Sequence, residues 1–303
     1  MMRILIADGL SKQGFDILSN AGHEVVDQKY TPEELLENIK DYDAIIVRSA
    51  TKVTKDVIDN GVNLKCIARG GVGLDNIDVV YAKEKGIPVL NTPGASSISV
   101  AELAIAHMFS VARFINLSNT AMRQGQWPKK DYAKGFELTG KTIGFFGFGN
   151  IGKETAKRAL GLGMNVIAFD PFVKETDMNV KLVTKDDVLA NSDFISMHMP
   201  LIKSEGPAIS AKEFDKMKNG VVIINCARGG VIVEKDLLDA LNSGKVKAAG
   251  IDVFENEPCT EAQLALINHP KVSVTPHIGA QTVEAQDRVG IEIAEKVVNA
   301  LKN

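Results

Sequence analysis

The feature that most constrains the fold of this chain is a glycine-rich turn in its middle, Gly147–Gly152, of the form Gly-x-Gly-x-x-Gly. It follows a strand-like apolar run at 142–146 and opens a helix-like run at 153–160. A second apolar run, 165–169, ends at Asp170. A strand, a glycine turn, a helix, a second strand and an acid together are the context of a dinucleotide-binding βαβ unit. The sequence therefore predicts such a unit, against the alternative of a purely structural glycine turn.

The three glycines of this turn and the acid have separate expected roles. Among Gly147, Gly149 and Gly152, one makes the tight turn, one lets the backbone approach a pyrophosphate, and one lets helix pack on strand. The N–H groups at the start of the following helix would bind the phosphates. A carboxylate at Asp170 would accept hydrogen bonds from a ribose and repel a 2′-phosphate, which favours NAD. The alternative, an NADP enzyme, predicts a basic residue after this strand, and Pro171 and Phe172 supply none.

Composition narrows the classes of protein. With 303 residues the chain has room for about two domains. A formal net charge of −3 gives no support for nucleic acid as a partner. Three widely spaced cysteines predict neither a metal site nor a disulfide framework. The N-terminus enters a strand directly, so we expect no signal peptide, no membrane span and a cytoplasmic protein.

Alternating apolar runs and amphipathic stretches predict an α/β fold with two doubly wound, Rossmann-like parallel sheets. Five strand–helix repeats precede the glycine turn and predict a flavodoxin-like substrate domain. The helix expected at 282–301 cannot form a domain alone, so we expect it to cover the first sheet. The predicted domains are thus a discontinuous substrate domain, 1–94 with 276–303, and an NAD-binding domain, 95–275. A long helical stretch is expected from about 97 to 122, and burial between domains and against a second subunit would explain why it is apolar on more than one side.

Three late stretches are expected at strand ends that face the nucleotide cleft: 224–230, 250–258 and 275–280. They carry Arg228, Glu257 and His277. A hydroxyl that loses a hydride needs a base for its proton, and histidine suits that role. Glu257 would orient the imidazole, and Arg228 would hold a substrate carboxylate. Taken singly, each has a plain alternative: an arginine paired near a loop, a glutamate capping a helix, a loop histidine.

These stretches resemble the D-isomer-specific 2-hydroxyacid dehydrogenase family along nearly the whole chain. The resemblance implies a homodimer, with Arg228 binding substrate, Glu257 assisting and His277 acting as acid/base. It implies NAD contacts from the glycine turn, from Asp170 and from the late strand ends, at Gly147, Gly149, Asn150, Ile151, Gly152, Asp170, Cys226, Ala227, Arg228, Asp252, Gly279 and Ala280. The segment 200–207 departs from the threonine-rich segment of many members. Some members carry a C-terminal regulatory domain, and we expect no feedback inhibition through such a domain here, since 26 residues follow His277.

We expect the substrate to be bound at two strand ends of the first domain, Arg48-Ser49 and Arg69-Gly70-Gly71, together with Arg228 and His277. Two arginines beyond the catalytic one suit a substrate that carries phosphate, and the glycine N–H groups would form an anion nest. The alternative is that Arg69 pairs with Asp75 or Asp78.

These loops resemble the phosphoglycerate dehydrogenase branch of the family, which implies oxidation of 3-phospho-D-glycerate to 3-phosphohydroxypyruvate for serine synthesis. Two other functions stay open. A glyoxylate or hydroxypyruvate reductase would share Arg228, Glu257 and His277 and differ only at the first-domain loops. An NAD-sensing corepressor would share the fold and act through a partner surface.

Overall fold

Two separate parallel β-sheets organise the chain in the computed structural model, which describes residues 1–202 and 204–302. The chain forms a split unit, Met1–Ser97 with Ala280–Asn303, and a central unit, Ile98–Gly279. The limits expected from the sequence lie a few residues before these boundaries, because the loop after residue 275 stays hydrogen-bonded to the central unit as far as Gly279. Lys203, in the divergent segment, and Asn303, the end of the expected first domain, lie outside the described residues.

The split unit contains five short, apolar strands: β1 (Arg3–Ile6), β2 (Glu24–Asp27), β3 (Ala44–Val47), β4 (Cys66–Arg69) and β5 (Val89–Asn91). They form one parallel sheet in the order β2-β1-β3-β4-β5. Four helices connect them: α1 (Lys12–Asn20), α2 (Pro32–Asn38), α3 (Lys55–Asn60) and α4 (Val79–Glu84). Buried clusters lie on both faces of the sheet, as expected where strands are apolar on both sides.

The central unit has seven strands: β6 (Thr142–Phe146), β7 (Asn165–Phe169), β8 (Lys181–Leu182), β9 (Phe194–Met197), β10 (Val221–Asn225), β11 (Val246–Ile251) and β12 (Val272–Val274). Its helices are α5 (Ser97–Arg113), α6 (Ile115–Arg123), α7 (Asn150–Gly161), α8 (Lys185–Asn191), α9 (Ala211–Lys216), α10 (Glu234–Ser243) and α11 (Leu264–Ile267). The parallel strands follow the order β8-β7-β6-β9-β10-β11-β12. The order reverses beside β6, and ligands bind such sheets at the carboxyl ends of strands beside the reversal.

The last helix, α12 (Val283–Ala300), packs on the sheet of the split unit. Its buried residues Ile293, Ala294 and Val297 belong to the same cluster as strand residues of β1 and β3. It also crosses α1 closely, because a Cβ on Gly14 would lie 2.6 Å from the Gly290 carbonyl oxygen. The expected fold class, two doubly wound parallel sheets with a discontinuous flavodoxin-like unit, is confirmed.

The stretch expected to be helical at 97–122 is helical, but it is broken into two helices. The segment forms α5 and α6, which are bent by 66°. Between them Phe114 has a left-handed backbone with φ of 54°, and one such residue is enough to end an α-helix. Among the described residues, no single helix is long and apolar enough to cross a membrane, although the bent pair of α5 and α6 meets that test by length and composition.

Candidate active site

The glycine turn after β6 places each of its three glycines in a different environment. Gly147 has φ of 92°, and a Cβ there would lie 2.5 Å from the carbonyl oxygen of His198. A Cβ on Gly152 would lie 2.6 Å from the Gly147 carbonyl oxygen, so this glycine lets α7 pack against the turn. A Cβ on Gly149 would meet no atom within 4 Å. The space beside Gly149, at the N-terminus of α7, is therefore open to an anion, which suits the pyrophosphate of a dinucleotide.

Asp170, directly after β7, joins the glycine turn to the next loop. Its Oδ2 accepts the N–H of Phe148 at 2.8 Å, and its Oδ1 accepts those of Phe172 and Val173 at 2.8 and 3.3 Å. A pocket of about 870 Å³ borders it. Backbone donors thus hold the carboxylate at the strand end, and its remaining lone pairs can accept from a ribose. Together with the open space at Gly149, this arrangement fits NAD.

The end of β10 carries the next expected site residues. The side chains of Cys226 and Ala227 are buried in the two apolar clusters of the central unit, and burial raises the pKa of the Cys226 thiol well above its ordinary value. Contact with a cofactor at these two positions would therefore involve backbone groups. Asn225 Nδ2 donates to the Arg228 carbonyl oxygen at 3.0 Å, and Arg228 Nη1 donates to the Ala227 carbonyl oxygen at 2.6 Å. These two hydrogen bonds within the loop hold the backbone around Arg228 in place.

Glu257 and His277 are hydrogen-bonded to each other, with 2.6 Å between His277 Nδ1 and Glu257 Oε2. Burial is the largest single influence on Glu257 and acts to raise its pKa. The hydrogen bonds from His277 and Phe254 N–H, with the charges of His277 and Arg228, outweigh burial, so the pKa lies below its ordinary value. Arg228 therefore acts electrostatically on the same carboxylate. An apolar pocket of about 510 Å³ adjoins the pair.

His277 adopts an unusual backbone, with φ of 54°. Its N–H donates to the Asp252 carbonyl oxygen at 2.8 Å. The Asp252 side chain, only 1% exposed, accepts the N–H groups of Ile278 and Gly279 at 2.8 and 2.9 Å. A left-handed non-glycine residue costs free energy and persists where its surroundings impose it, often at functional sites.

In the split unit, Arg48 and Arg69 lie at the carboxyl ends of the neighbouring strands β3 and β4. Arg69 Nε donates to the Arg48 carbonyl oxygen at 3.2 Å. The Arg48 guanidinium is hydrogen-bonded through Nη1 to Gln286 of α12, whereas its buried Nε has no partner. Burial lowers the pKa of Arg48, and the charge of Asp8 opposes that change. Two arginines thus lie at the same edge of this sheet.

The anion nest expected at Gly70 and Gly71 does not form as predicted. The Gly70 N–H donates to the Val47 carbonyl oxygen and the Gly71 N–H to that of Arg69, both at 2.9 Å. Gly71 instead leaves room for a side chain, because a Cβ there would lie 2.7 Å from Arg69 Nη1. Ser49 is exposed beside Arg48. Ala280, expected to touch the cofactor, belongs to the split unit, and its carbonyl oxygen accepts from Gln286 Nε2 at 2.7 Å.

Two histidines of the central unit are buried. His198, directly after β9, is buried against Phe145, and burial lowers its pKa to about 3. Its Nε2 lies 2.9 Å from Ser196 Oγ, so it is a neutral packing residue. His107 of α5 hydrogen-bonds to Ser273 and Thr275, on the strand and loop before His277. Its position in an apolar helix gives no sign of these partners in the sequence, so sequence reasoning missed it.

Within the residues that the structure describes, no group of three or more His, Cys, Asp and Glu side chains is placed to hold a metal ion. The nucleotide-type turn, the strand-end acid and the Glu–His pair are instead the parts of a nicotinamide-dependent dehydrogenase.

Comparison with known proteins agrees with this class. Residues 105–279 match the family described as D-isomer specific 2-hydroxyacid dehydrogenase, NAD binding domain. The chain is 52% identical to a hydroxypyruvate reductase of Thermotoga maritima, over 99% of this chain and 98% of that protein. It is 45% identical to a D-3-phosphoglycerate dehydrogenase of Methanocaldococcus jannaschii, over 100% of this chain and 58% of that protein. A glyoxylate reductase from Paecilomyes thermophila superposes with a TM-score of 0.91, at 34% identity, covering 100% of this chain and 96% of that one.

The chain therefore belongs to the D-isomer specific 2-hydroxyacid dehydrogenase family. It is an oxidoreductase whose cofactor is NAD, bound by the central unit.

Proposed function

We propose that this enzyme oxidises 3-phospho-D-glycerate to 3-phosphohydroxypyruvate, a reaction that supplies serine synthesis. The observation that carries the proposal is the pair of arginines at the carboxyl ends of β3 and β4, Arg48 and Arg69. A small monocarboxylate needs one guanidinium, and we assign that role to Arg228. Two further guanidinium groups on one edge suit the dianionic phosphate of a phosphorylated substrate.

In the proposed chemistry, His277 accepts the hydroxyl proton. The Glu257 carboxylate can only accept hydrogen bonds, so His277 Nδ1 carries the hydrogen between them, and Nε2 is left with a lone pair. Nε2 takes the substrate proton while the Glu257 charge stabilises the imidazolium that forms. When bound, NAD would supply the nicotinamide ring that accepts the hydride from the carbon bearing this hydroxyl group. Arg228 holds the substrate carboxylate beside the reacting carbon.

In the reverse direction the same residues act in the opposite sense. Nε2 of protonated His277 donates to the ketone oxygen, and Arg228 again fixes the carboxylate.

We also propose that the enzyme is a homodimer. Light scattering coupled to size-exclusion chromatography would measure its molar mass in solution and test this.

A second candidate, a hydroxypyruvate reductase, is favoured by one specific observation. The relative of that name matches over 98% of its length at 52% identity, whereas this chain spans 58% of the phosphoglycerate dehydrogenase relative. The two functions differ in whether the substrate carries phosphate. They therefore differ in what Arg48 and Arg69 must do.

A substrate series in the reductive direction with NADH separates the candidates. We expect kcat/KM for 3-phosphohydroxypyruvate to exceed those for hydroxypyruvate and glyoxylate by about 100-fold, since hydrogen bonds to charged groups contribute about 1.5–3 kcal/mol each. Comparable values for the three substrates would favour the reductase and end the phosphate argument.

Variants test whether Arg48 binds the substrate phosphate. Arg48→Met should raise KM for the phosphorylated substrate by about 10- to 100-fold and leave KM for hydroxypyruvate nearly unchanged. Arg3→Gln is the matched control, because Arg3 lies in the same unit in an exposed ion pair with Glu24 and exposed pairs contribute little. An equal rise for both substrates in Arg48→Met would mean that Arg48 does not bind phosphate.

A further inference from the structure

A buried hydrogen-bonded network joins α5 to the loop that carries His277. It consists of His107, Ser273, Thr275 and Asp252, and we call it the His107 network. His107 is 2% exposed. Its Nδ1 lies 3.0 Å from Ser273 Oγ and its Nε2 lies 3.0 Å from Thr275 Oγ1. Thr275 Oγ1 in turn donates to Asp252 Oδ1 at 2.5 Å.

The direction of these hydrogen bonds follows from the acceptor at the end. A carboxylate accepts only, so the Thr275 hydroxyl hydrogen points to Asp252 and its oxygen accepts from His107 Nε2–H. Ser273 Oγ lies 3.0 Å from His107 Nδ1 and donates its hydrogen to Ser110 Oγ at 3.0 Å. Burial lowers the pKa of His107, and the charge of Asp252 only partly opposes that change.

The network ends on the backbone around His277. Asp252 Oδ1 accepts the N–H of Ile278, and Oδ2 accepts that of Gly279. The left-handed turn at His277 is therefore enclosed between Thr275 on one side and two N–H groups on the other, all bound to one carboxylate. Turning the Asp252 side chain away would remove these three hydrogen bonds from the turn.

The surrounding structure makes space for the imidazole and adds a second tie from the same helix. A Cβ on Gly250 would lie 2.5 Å from the His107 Cβ, so only glycine on β11 admits His107 at this depth. Ser99 Oγ, two turns earlier on α5, donates to the Gly279 carbonyl oxygen at 2.7 Å. Helix α5 thus holds the loop at both of its ends.

We propose that His107 is a positioning residue, which acts through Thr275 and Asp252 to hold the turn that presents His277 to the substrate. The effect on turnover rests on the proposed function, in which His277 is the acid/base. The effect on the turn itself does not.

His107→Leu and Thr275→Val each break the network at a different link. We expect kcat to fall about 10- to 100-fold in both, because small misplacements of a catalytic group have effects of that size, with NAD affinity changed far less. The double variant should be no worse than either single variant, since both act on one path. His107→Gln keeps an N–H donor within reach of Thr275 and should restore much of kcat.

Amide hydrogen exchange at Ile278 and Gly279 measures how firmly the turn is held and does not depend on catalytic turnover. We expect faster exchange at both in His107→Leu, and wild-type exchange and kcat in the control Met108→Leu, a volume-conserving change at a buried residue of the same helix. Thr275→Val serves as the test if His107→Leu does not fold. Wild-type kcat and exchange in Thr275→Val or His107→Leu would overturn the inference. His277→Gln with undiminished turnover would overturn the proposed function instead, and the exchange rates would still decide the role of His107.

Discussion

Gly229, between the Arg228 loop and the loop that carries Glu257, offers a sharp test of how these loops are held. A Cβ at this position would lie 1.8 Å from the Phe254 carbonyl oxygen, 2.2 Å from its carbon and 2.7 Å from Glu255 N. All three contacts are with backbone, so no side-chain rotation relieves them. Gly229→Ala must therefore push the two loops apart.

The size of the displacement follows from these distances. Ordinary van der Waals contact begins at 3.4 Å, so the Phe254 carbonyl oxygen has to retreat from 1.8 Å by about 1.6 Å. Overpacking of a well-packed site costs about 1–3 kcal/mol or more. A misplacement of about 1 Å in catalytic groups lowers turnover by about 100-fold. The Phe254 N–H also donates to Glu257 at 3.0 Å, so the movement disturbs the partner of His277 directly.

The assay compares Gly229→Ala with Gly161→Ala, a control in α7 whose added Cβ would meet nothing within 4 Å. Thermal unfolding followed by circular dichroism should show a lower Tm for Gly229→Ala, by about 2–4 °C for each kcal/mol lost. Gly161→Ala should keep its kcat and gain about 0.5–1 kcal/mol of stability, as expected for alanine in place of glycine within a helix. If Gly229→Ala retained wild-type kcat and Tm, the close approach of the two loops could not be what positions Arg228 and Glu257.

Three further predictions concern cofactor choice, pH and helix capping. Asp170→Asn keeps an acceptor for Phe148 N–H but removes the charge, so the preference for NAD over NADP in kcat/KM should fall by about tenfold. Because the pKa of folded Glu257 lies below its ordinary value of 4.5, its contribution to stability is present above that pH and is lost as pH falls through the folded value. The unfolding free energies of the wild type and Glu257→Gln, measured in urea, should therefore converge on acidification; a constant difference would contradict this. Thr31→Ala removes the capping box of α2 and should cost about 1 kcal/mol in urea unfolding without changing kcat.

Much of the fold followed from apolar periodicity, because local patterns determine local elements. The expected strands 142–146 and 165–169 match β6 and β7 in both of their limits, and the expected helix 282–301 matches α12 to within one residue at each end. The break at Phe114 was missed because phenylalanine is an ordinary helix residue in sequence, and only tertiary packing holds it in a left-handed conformation. The two-residue strand β8 was missed because its two residues are too few to form a periodic pattern.

The candidate site, like the fold, was predictable from the sequence only in part. Strand-end position and residue chemistry predict Glu257 and His277 as one site, and a 2.6 Å hydrogen bond joins them in the structure. The anion nest predicted at Gly70 and Gly71 is wrong. We expected the glycines to expose N–H groups, whereas the missing side chain of Gly71 makes room for Arg69. Sequence shows that a glycine lacks a side chain, but not which neighbour uses the space.

Asp252 shows why a role assigned from a motif can be incomplete. The family resemblance implies that this carboxylate contacts NAD, yet Thr275 and Ile278 donate to its Oδ1 and Gly279 to its Oδ2. Oδ2 has one protein donor and so keeps a lone pair for a further hydrogen bond, whereas Oδ1 already has two. The residue can therefore serve the cofactor only while it also holds the turn at His277. Replacing Asp252 would thus change both functions at once, whereas His107 is two hydrogen bonds removed from Asp252, through Thr275, and allows the turn to be perturbed separately.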